Sequence, residues 1–300
     1  MKRQPGPAGL GESLVERLVE AQFPQWAGLP VREVPSAGTD NAMYRLGEDM
    51  AVRLPRVPDA AGQVGVEQRW LPHLAPRLPL EVPVPLGHGA PAAGYGSAWS
   101  VYRWLDGENL YDRPLPERGL HDAADRLGAF LAALHRIDTA GAPRSCRGGP
   151  VDTADAEVRA AIRDLGADGT HDAEAATAAW EAAVRAPRWR GAPVWLHGDL
   201  LPGNLLGRRG RLTAVIDFGL VGVGDPACDL MAAWTVLTVE SREAFRAAVG
   251  VDDATWARGR GWALRFGLTA EHHYRGGLNP VLADVGHRAA AEAIADHHRS

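Results

Sequence analysis

The period of the hydrophobic pattern changes once along this chain, near Gly107, and that change limits the folds open to it. Before it, short runs alternate between apolar and polar residues: VREVPS (31–36), NAMYRL (41–46) and MAVRLP (50–55). Gly47, Glu48 and Asp49, between the last two, have the composition of a tight turn. EVPVPLGHG (81–89) and GSAWSVYRWLDGEN (96–109) read as two further strands. The short connections among the first three strands make a β-meander, because parallel βαβ pairing needs a long crossover. Leu14, Val15, Leu18 and Val19 place an amphipathic helix over 12–23, and a second helix is predicted over 60–76, stopped by Pro79 at the latest. The first lobe is thus expected to be a small sheet of about five strands with a helix packed on it.

After Gly107 the period becomes helical. Leu120, Ala123, Ala124, Leu127, Phe130, Leu131 and Leu134 form one apolar stripe. Residues 151–186 are alanine-rich and predicted to be mostly helical; two or three short strands are expected within 194–217, and helices from 228 to the end. The glycine- and proline-rich stretch 141–150 reads as a surface loop. The expected class is α+β and bilobal, with residues 1–106 as a strand-rich lobe and 107–300 as a helix-rich lobe carrying a helical insert near 151–186. A cleft between two such lobes is the natural place for a ligand.

Composition removes several classes of function. With 300 residues, 46% hydrophobic and 23% charged, the chain can bury a sizeable core and is not of the disordered type. A formal charge of −5 argues against a nucleic-acid binder, which shows a basic excess. No apolar run is long enough to span a bilayer, and the first twenty residues lack the apolar centre of a signal peptide. Cys146 and Cys228 are too few for a disulfide framework or a cysteine zinc site. The expectation is a cytoplasmic protein, monomer or dimer, with neither nucleic acid nor membrane as partner. Lys2 is the only lysine, so arginine carries nearly all the positive charge.

The chemistry is concentrated in W195-L-H-G-D-L-L-P-G-N-L-L206 and V215-I-D-F-G219. An apolar strand end leads into His197, Gly198 and Asp199; Asn204 follows, then a second strand ends in Asp217. Taken singly, Asp199 is a turn residue and Asn204 a helix cap. Together with Asp217 they are the set that phosphoryl transfer requires: one carboxylate to orient an acceptor hydroxyl and take its proton, and an amide oxygen with a second carboxylate to hold Mg²⁺. Asp199 takes the first role, Asn204 and Asp217 the second. His197 reads as a support for the loop, and Asp225 and Asp229 as helix caps or braces of the catalytic segment.

These segments resemble the aminoglycoside phosphotransferase family, antibiotic kinases related to protein kinases, which write His-Gly-Asp where protein kinases write His-Arg-Asp. The resemblance extends to S36-A-G-T-D-N-A-M-Y-R-L46, L127-G-A-F-L-A-A-L-H135, Y102-R-W-L-D-G107 and G224-D-P-A-C-D-L230, and covers most of the chain from about 30 to 240 in family order. It implies a protein-kinase-like fold and an ATP- and Mg²⁺-dependent O-phosphotransferase, with GTP as an alternative donor and a small-molecule hydroxyl as acceptor. It implies a nucleotide loop at Gly38, Thr39, Asp40 and Asn41, and a hinge at Arg103, Trp104 and Leu105 whose backbone meets the purine edge. Leu206 and Ile216 would cover the purine face. Kinases carry a lysine on the third strand, and here Arg53 stands at that position; Glu67, on the following helix, is its expected partner, and Arg56 competes with Arg53 for the role.

Residues 151–181 hold eight acids against two arginines, whereas the rest of the chain is nearly neutral. In the family the large-lobe insert helps form the acceptor pocket, and a negative rim would attract a polycationic aminoglycoside; a solvated helix face is the alternative. Glu271, in E271-H-H-Y274, is a further candidate acceptor contact, with Asp199 itself and Asp284. The same fold hosts kinases of macrolides, choline, homoserine and other small alcohols, and a degenerate nucleotide-binding protein is a third class. An aminoglycoside-type acceptor is the leading expectation.

Overall fold

The computed structural model describes residues 10–35 and 40–299; Gly38 and Thr39, two of the expected nucleotide-loop residues, lie outside the described residues. The chain divides into two compact units, one holding the residues up to Gly107 with Ala214–Gly219, the other Glu108–Thr213 with Leu220 onward.

In the first unit, α1 (Glu12–Gln22) begins with an acid in its first turn, which complements the helix dipole, and buries Leu14, Val15, Leu18 and Val19. Each such side chain taken out of water contributes on the order of 2 kcal/mol. There follow β1 (Val31–Val34), β2 (Asn41–Leu46), β3 (Met50–Pro55), α2 (Pro58–Leu74), β4 (Pro85–Gly89) and β5 (Trp99–Arg103). The five strands form one antiparallel sheet in the order β1-β2-β3-β5-β4. Tight pairing of Leu46 with Met50 closes the turn at Gly47. With a neighbour on each edge, β3 is buried from Ala51 to Pro55. Leu18, Leu54, Trp99 and Val101 share the core, where Phe23 meets Trp99 edge-on at 5.3 Å. The stretch 81–89 is not one strand. Only Pro85 onward joins the sheet, while Glu81 bridges Ala214 in parallel and its carbonyl accepts the Val215 N–H at 2.9 Å. That bridge ties Ala214–Gly219, and so Asp217, into this unit.

The second unit contains β6 (Glu108–Asn109), α3 (Glu117–Leu134), α4 (Asp155–Ala167), α5 (Ala173–Arg185), β7 (Val194–Leu196), β8 (Leu205–Arg208) and β9 (Arg211–Val215), whose last two residues return to the first unit. Then come β10 (Gly222–Gly224), α6 (Ala232–Thr235), α7 (Val239–Val249), α8 (Asp253–Tyr274) and α9 (Pro280–Arg299). β6, β8 and β9 form one small sheet and β7 pairs antiparallel with β10. The stripe of α3 is buried from Ala123 to Leu134, with Leu120 half-buried, and α3 packs on α7, where a Cβ on Gly128 would lie 2.5 Å from that of Ala248. A capping box at Thr238 and Ser241 starts α7, and Gly250, in the left-handed conformation, ends it. α8 packs on α4, α5 and α9.

Residues 141–150 are not a plain surface loop. Ser145 N–H donates to the Val223 carbonyl (3.1 Å) and Asp225 N–H to that of Gly148 (3.0 Å), fastening the loop to β10. Gly148 and Gly224 approach so closely that a Cβ on either would lie within 2.7 Å of the other's Cα. Among the described residues, no helix is long and apolar enough to cross a membrane.

Candidate active site

In the first unit the chemistry gathers at Arg53. Its place on the central strand buries it to 6% exposure, and both terminal nitrogens of its guanidinium have protein partners. Nη1 donates to Glu67 Oε2 at 2.6 Å; Nη2 donates to Gln63 Oε1 at 3.2 Å and to Asp217 Oδ1 at 3.0 Å. Glu67, on α2 and 1% exposed, also accepts the Tyr102 hydroxyl. Burial works against the Arg53 charge, but Glu67 and Asp217 outweigh it and push its pKa up, so the cation is secure. Burial likewise pushes the Glu67 carboxyl up, and Arg53 opposes that. The competitor Arg56 uses its backbone N–H on the Asp40 carbonyl, 2.6 Å away. Asp217 has φ +64, a left-handed conformation that costs a non-glycine residue about 1 kcal/mol or more, and Arg53 holds the carboxylate there.

The second unit holds the loop from His197 to Asn204. Gly198 turns it with φ +87, a conformation that glycine adopts freely. Asp229 braces it from below: Oδ2 accepts the His197 N–H and Oδ1 the Gly198 N–H, both at 2.7 Å. Burial raises the Asp229 pKa, while the His197 ring and those two N–H groups pull against the rise. The Asp199 N–H donates to His197 Nδ1 at 3.1 Å, so the fully buried histidine is an acceptor at that nitrogen and a support rather than a base. Asn204 Nδ2 donates to the Asp199 carbonyl at 2.8 Å and to its Oδ2 at 3.0 Å. The amide nitrogen is thereby committed, and Oδ1 is the end of Asn204 left for a cation. Asp225 caps the turn after it through the Ala227 N–H and is gripped by Arg258 at 2.7 and 3.1 Å.

Arg147, which sequence reasoning missed, lies 3.1 Å from Asp199 Oδ1. Burial opposes its charge, yet Asp199 beside it keeps the pKa raised. The only signal for it was the glycine pair Gly148 and Gly149, since the close approach of Gly148 to Gly224 is what turns this loop inward.

Other expected residues sit differently. At the hinge, the N–H of Arg103 donates to the Val84 carbonyl (2.9 Å) and that of Trp104 to the Asp49 carbonyl (2.7 Å), so neither is left for a purine edge. Arg45 lies over the Trp104 ring at 4.2 Å. Leu206 is buried in β8, Ile216 is half-buried, and Asn41 opens β2 opposite Pro55. Glu271 is 6% exposed, with one oxygen on His171 and the other on His287, which leaves it no free oxygen for an acceptor. Six of the eight acids of 151–181 have partners within the second unit, while Glu157 and Glu174 are exposed. Asp152 pairs with Arg188, Asp155 with Arg159, Asp164 with His272, Asp168 with Arg275 and Glu181 with Arg185, while Asp172 caps α5.

Comparison with known proteins gives the context. The model of a family described as "Phosphotransferase enzyme family" matches residues 31–262. The uncharacterized protein YcbJ of Bacillus subtilis (strain 168) is 27% identical over 206 residues; the match spans 63% of this chain and 64% of that protein. Among solved structures, the GDP and kanamycin complex of APH(2")-IIIa superposes with a TM-score of 0.70 at 20% identity, covering 94% of this chain and 98% of that one. The apoenzyme of macrolide 2'-phosphotransferase MphH from Brachybacterium faecium gives 0.61 at 23% identity, covering 93% and 97%. The fold is α+β and protein-kinase-like.

Proposed function

We propose that this chain, which belongs to the phosphotransferase enzyme family, moves the terminal phosphoryl group of ATP or GTP onto a hydroxyl of a small molecule. The observation that carries this reading is Asp199: a carboxylate on a loop braced by Asp229, with Asn204 on one oxygen and Arg147 on the other. A carboxylate held in this way can receive a hydroxyl proton and aim the oxygen, which is most of what a protein must supply for this reaction. Arg147 and Asn204 act on Asp199 by orienting it.

Arg53 serves as the cation for the nucleotide phosphates, positioned by Glu67, and a fork geometry suits phosphate oxygens. Its contact with Asp217 links that cation to a proposed metal carboxylate. Asn204 Oδ1 and the Asp217 carboxylate are hard oxygen donors of the kind Mg²⁺ prefers, so they would hold the ion; when bound, it neutralises phosphate charge. Asp40 and Asn41, with Gly38 and Thr39, serve the phosphate loop. With the N–H groups of Arg103 and Trp104 engaged elsewhere, Leu105 is the hinge residue whose N–H meets the purine, and Leu206 and Ile216 cover its face.

The acceptor is a hydroxyl-bearing antibiotic, aminoglycoside-type in the leading reading, which the kanamycin in the APH(2")-IIIa complex supports. A macrolide is the second reading. The internal pairing of the acids in 151–181, together with Arg147 beside Asp199, weakens the negative field that a polycation would need. Nucleoside diphosphate release, measured with ATP and with GTP across aminoglycosides, macrolides, choline and homoserine, tests this. Turnover with an aminoglycoside supports the leading reading, turnover confined to macrolides moves the acceptor to the second, and nucleotide binding without turnover on any acceptor overturns the proposal.

A further inference from the structure

We propose that His171, Glu271 and His287 form a binding site for a divalent transition-metal ion, zinc by its ligand chemistry, which pins together three elements of the second unit. It shares no residue with the proposed phosphoryl-transfer site and does not depend on that reading.

The three side chains come from the α4–α5 connection, α8 and α9. His171 Nε2 lies 2.6 Å from Glu271 Oε2, and His287 Nδ1 lies 2.8 Å from Glu271 Oε1. The donor atoms all lie within 4.8 Å of one another. A tetrahedral zinc with bonds of about 2.0–2.1 Å sets its donors about 3.3 Å apart, so closing this trio on an ion takes shifts of about an ångström. Two imidazoles and one carboxylate make a set that suits zinc and its neighbours in the first transition row, whereas magnesium and calcium prefer oxygen throughout.

The arrangement is built rather than casual. α8 and α9 cross closely: a Cβ on Gly267 would lie 2.5 Å from Ala290 N, and one on Gly286 would lie 2.8 Å from Glu271 N. That approach sets His287 against Glu271. The α4–α5 connection is pinned at both ends, by the Thr170 N–H on the Leu165 carbonyl (2.9 Å) and by Asp172 capping α5, which fixes His171 between them. The two imidazole rings stack, with centroids 5.0 Å apart and planes inclined by 25°. His171 and Glu271 side chains are 6% and 8% exposed, and His287 is 54% exposed, so the trio is walled on one side and open on the other. An ion enters past His287, and water completes its coordination there. Without an ion the two imidazoles hydrogen-bond Glu271, and an ion would take the place of those two hydrogen bonds.

The test uses the full chain, without a histidine tag, stripped by a chelator, equilibrated with zinc chloride near neutral pH and desalted. About one zinc ion per chain is expected to remain bound. His171→Ala and His287→Ala are each expected to lose it. His272→Ala, whose ring bonds Asp164 instead, keeps it. Zinc, but not magnesium, should raise the melting temperature of the wild type and leave that of His287→Ala unchanged; His287 is exposed enough for the variant to fold. Equal zinc retention by wild type and His287→Ala, retention that disappears instead with His297 and His298, or no zinc-dependent rise in melting temperature would each overturn the proposal.

Discussion

Arg53 is where the physics of a single residue matters most. A buried guanidinium survives because Glu67, Gln63 and Asp217 absorb its fork, and a kinase-type lysine would present one ammonium where three acceptors now converge. Removing one member of a buried ion pair costs about 3–5 kcal/mol, mostly from the charge left behind. Arg53→Met should therefore lower stability by about that amount, read by urea denaturation. Arg53→Lys should keep much of that stability but raise the nucleotide Kd about tenfold, because it cannot hold Glu67 and Asp217 together. An Arg53→Lys protein with unchanged nucleotide affinity would show that the fork is not used. Arg53 was legible because it stands where the resembled kinases carry a third-strand lysine, and Glu67 because it is the acid most centrally placed in the helix that follows. Arg147 was not, because its contact with Asp199 arises from a glycine crossing that spacing does not encode.

Among the elements, α3 carries a titration built into its end. His135 is its C-cap, where the helix dipole favours a cation, but burial wins and lowers the imidazole pKa to about 4. Its Nε2 is buried with no partner among the described residues. A depressed histidine is protonated more readily in the unfolded chain, so stability is complete above the ordinary value near 6.5 and is lost as pH falls towards 4. Denaturation of wild type and His135→Leu over that interval should show the wild type losing about 3 kcal/mol more. Equal losses would remove His135 as the cause. Long periodic elements such as α3 and the pairing of β2 with β3 could be read from the chain. β10 could not, because Gly222–Gly224 is a three-residue strand with glycine at both ends. The backbone hydrogen bonds of Arg103 and Trp104 were equally hidden, since a hinge motif names residues and not the carbonyls they meet.

For the whole molecule, the local count of acids in 151–181 was a poor guide to where negative charge stands free of partners. The eight acids of 151–181 looked like a field, yet Asp152, Asp164 and Asp168 pair with arginines or a histidine distant in sequence, Asp172 caps a helix, and Asp155 and Glu181 pair within their own helices. What survives is the pair of polar networks around Arg53 and Asp199, each placed by its own unit's fold. The most direct measurement follows phosphorus by NMR with magnesium, nucleoside triphosphate and the acceptor that supports turnover, in wild type and in Asp199→Asn. Wild type should build a phosphomonoester of the acceptor. Asp199→Asn should do so at least about 10²-fold more slowly while binding nucleotide with nearly unchanged affinity. Equal phosphomonoester formation by the two proteins, or free phosphate as the sole product of the wild type, would contradict phosphoryl transfer at Asp199.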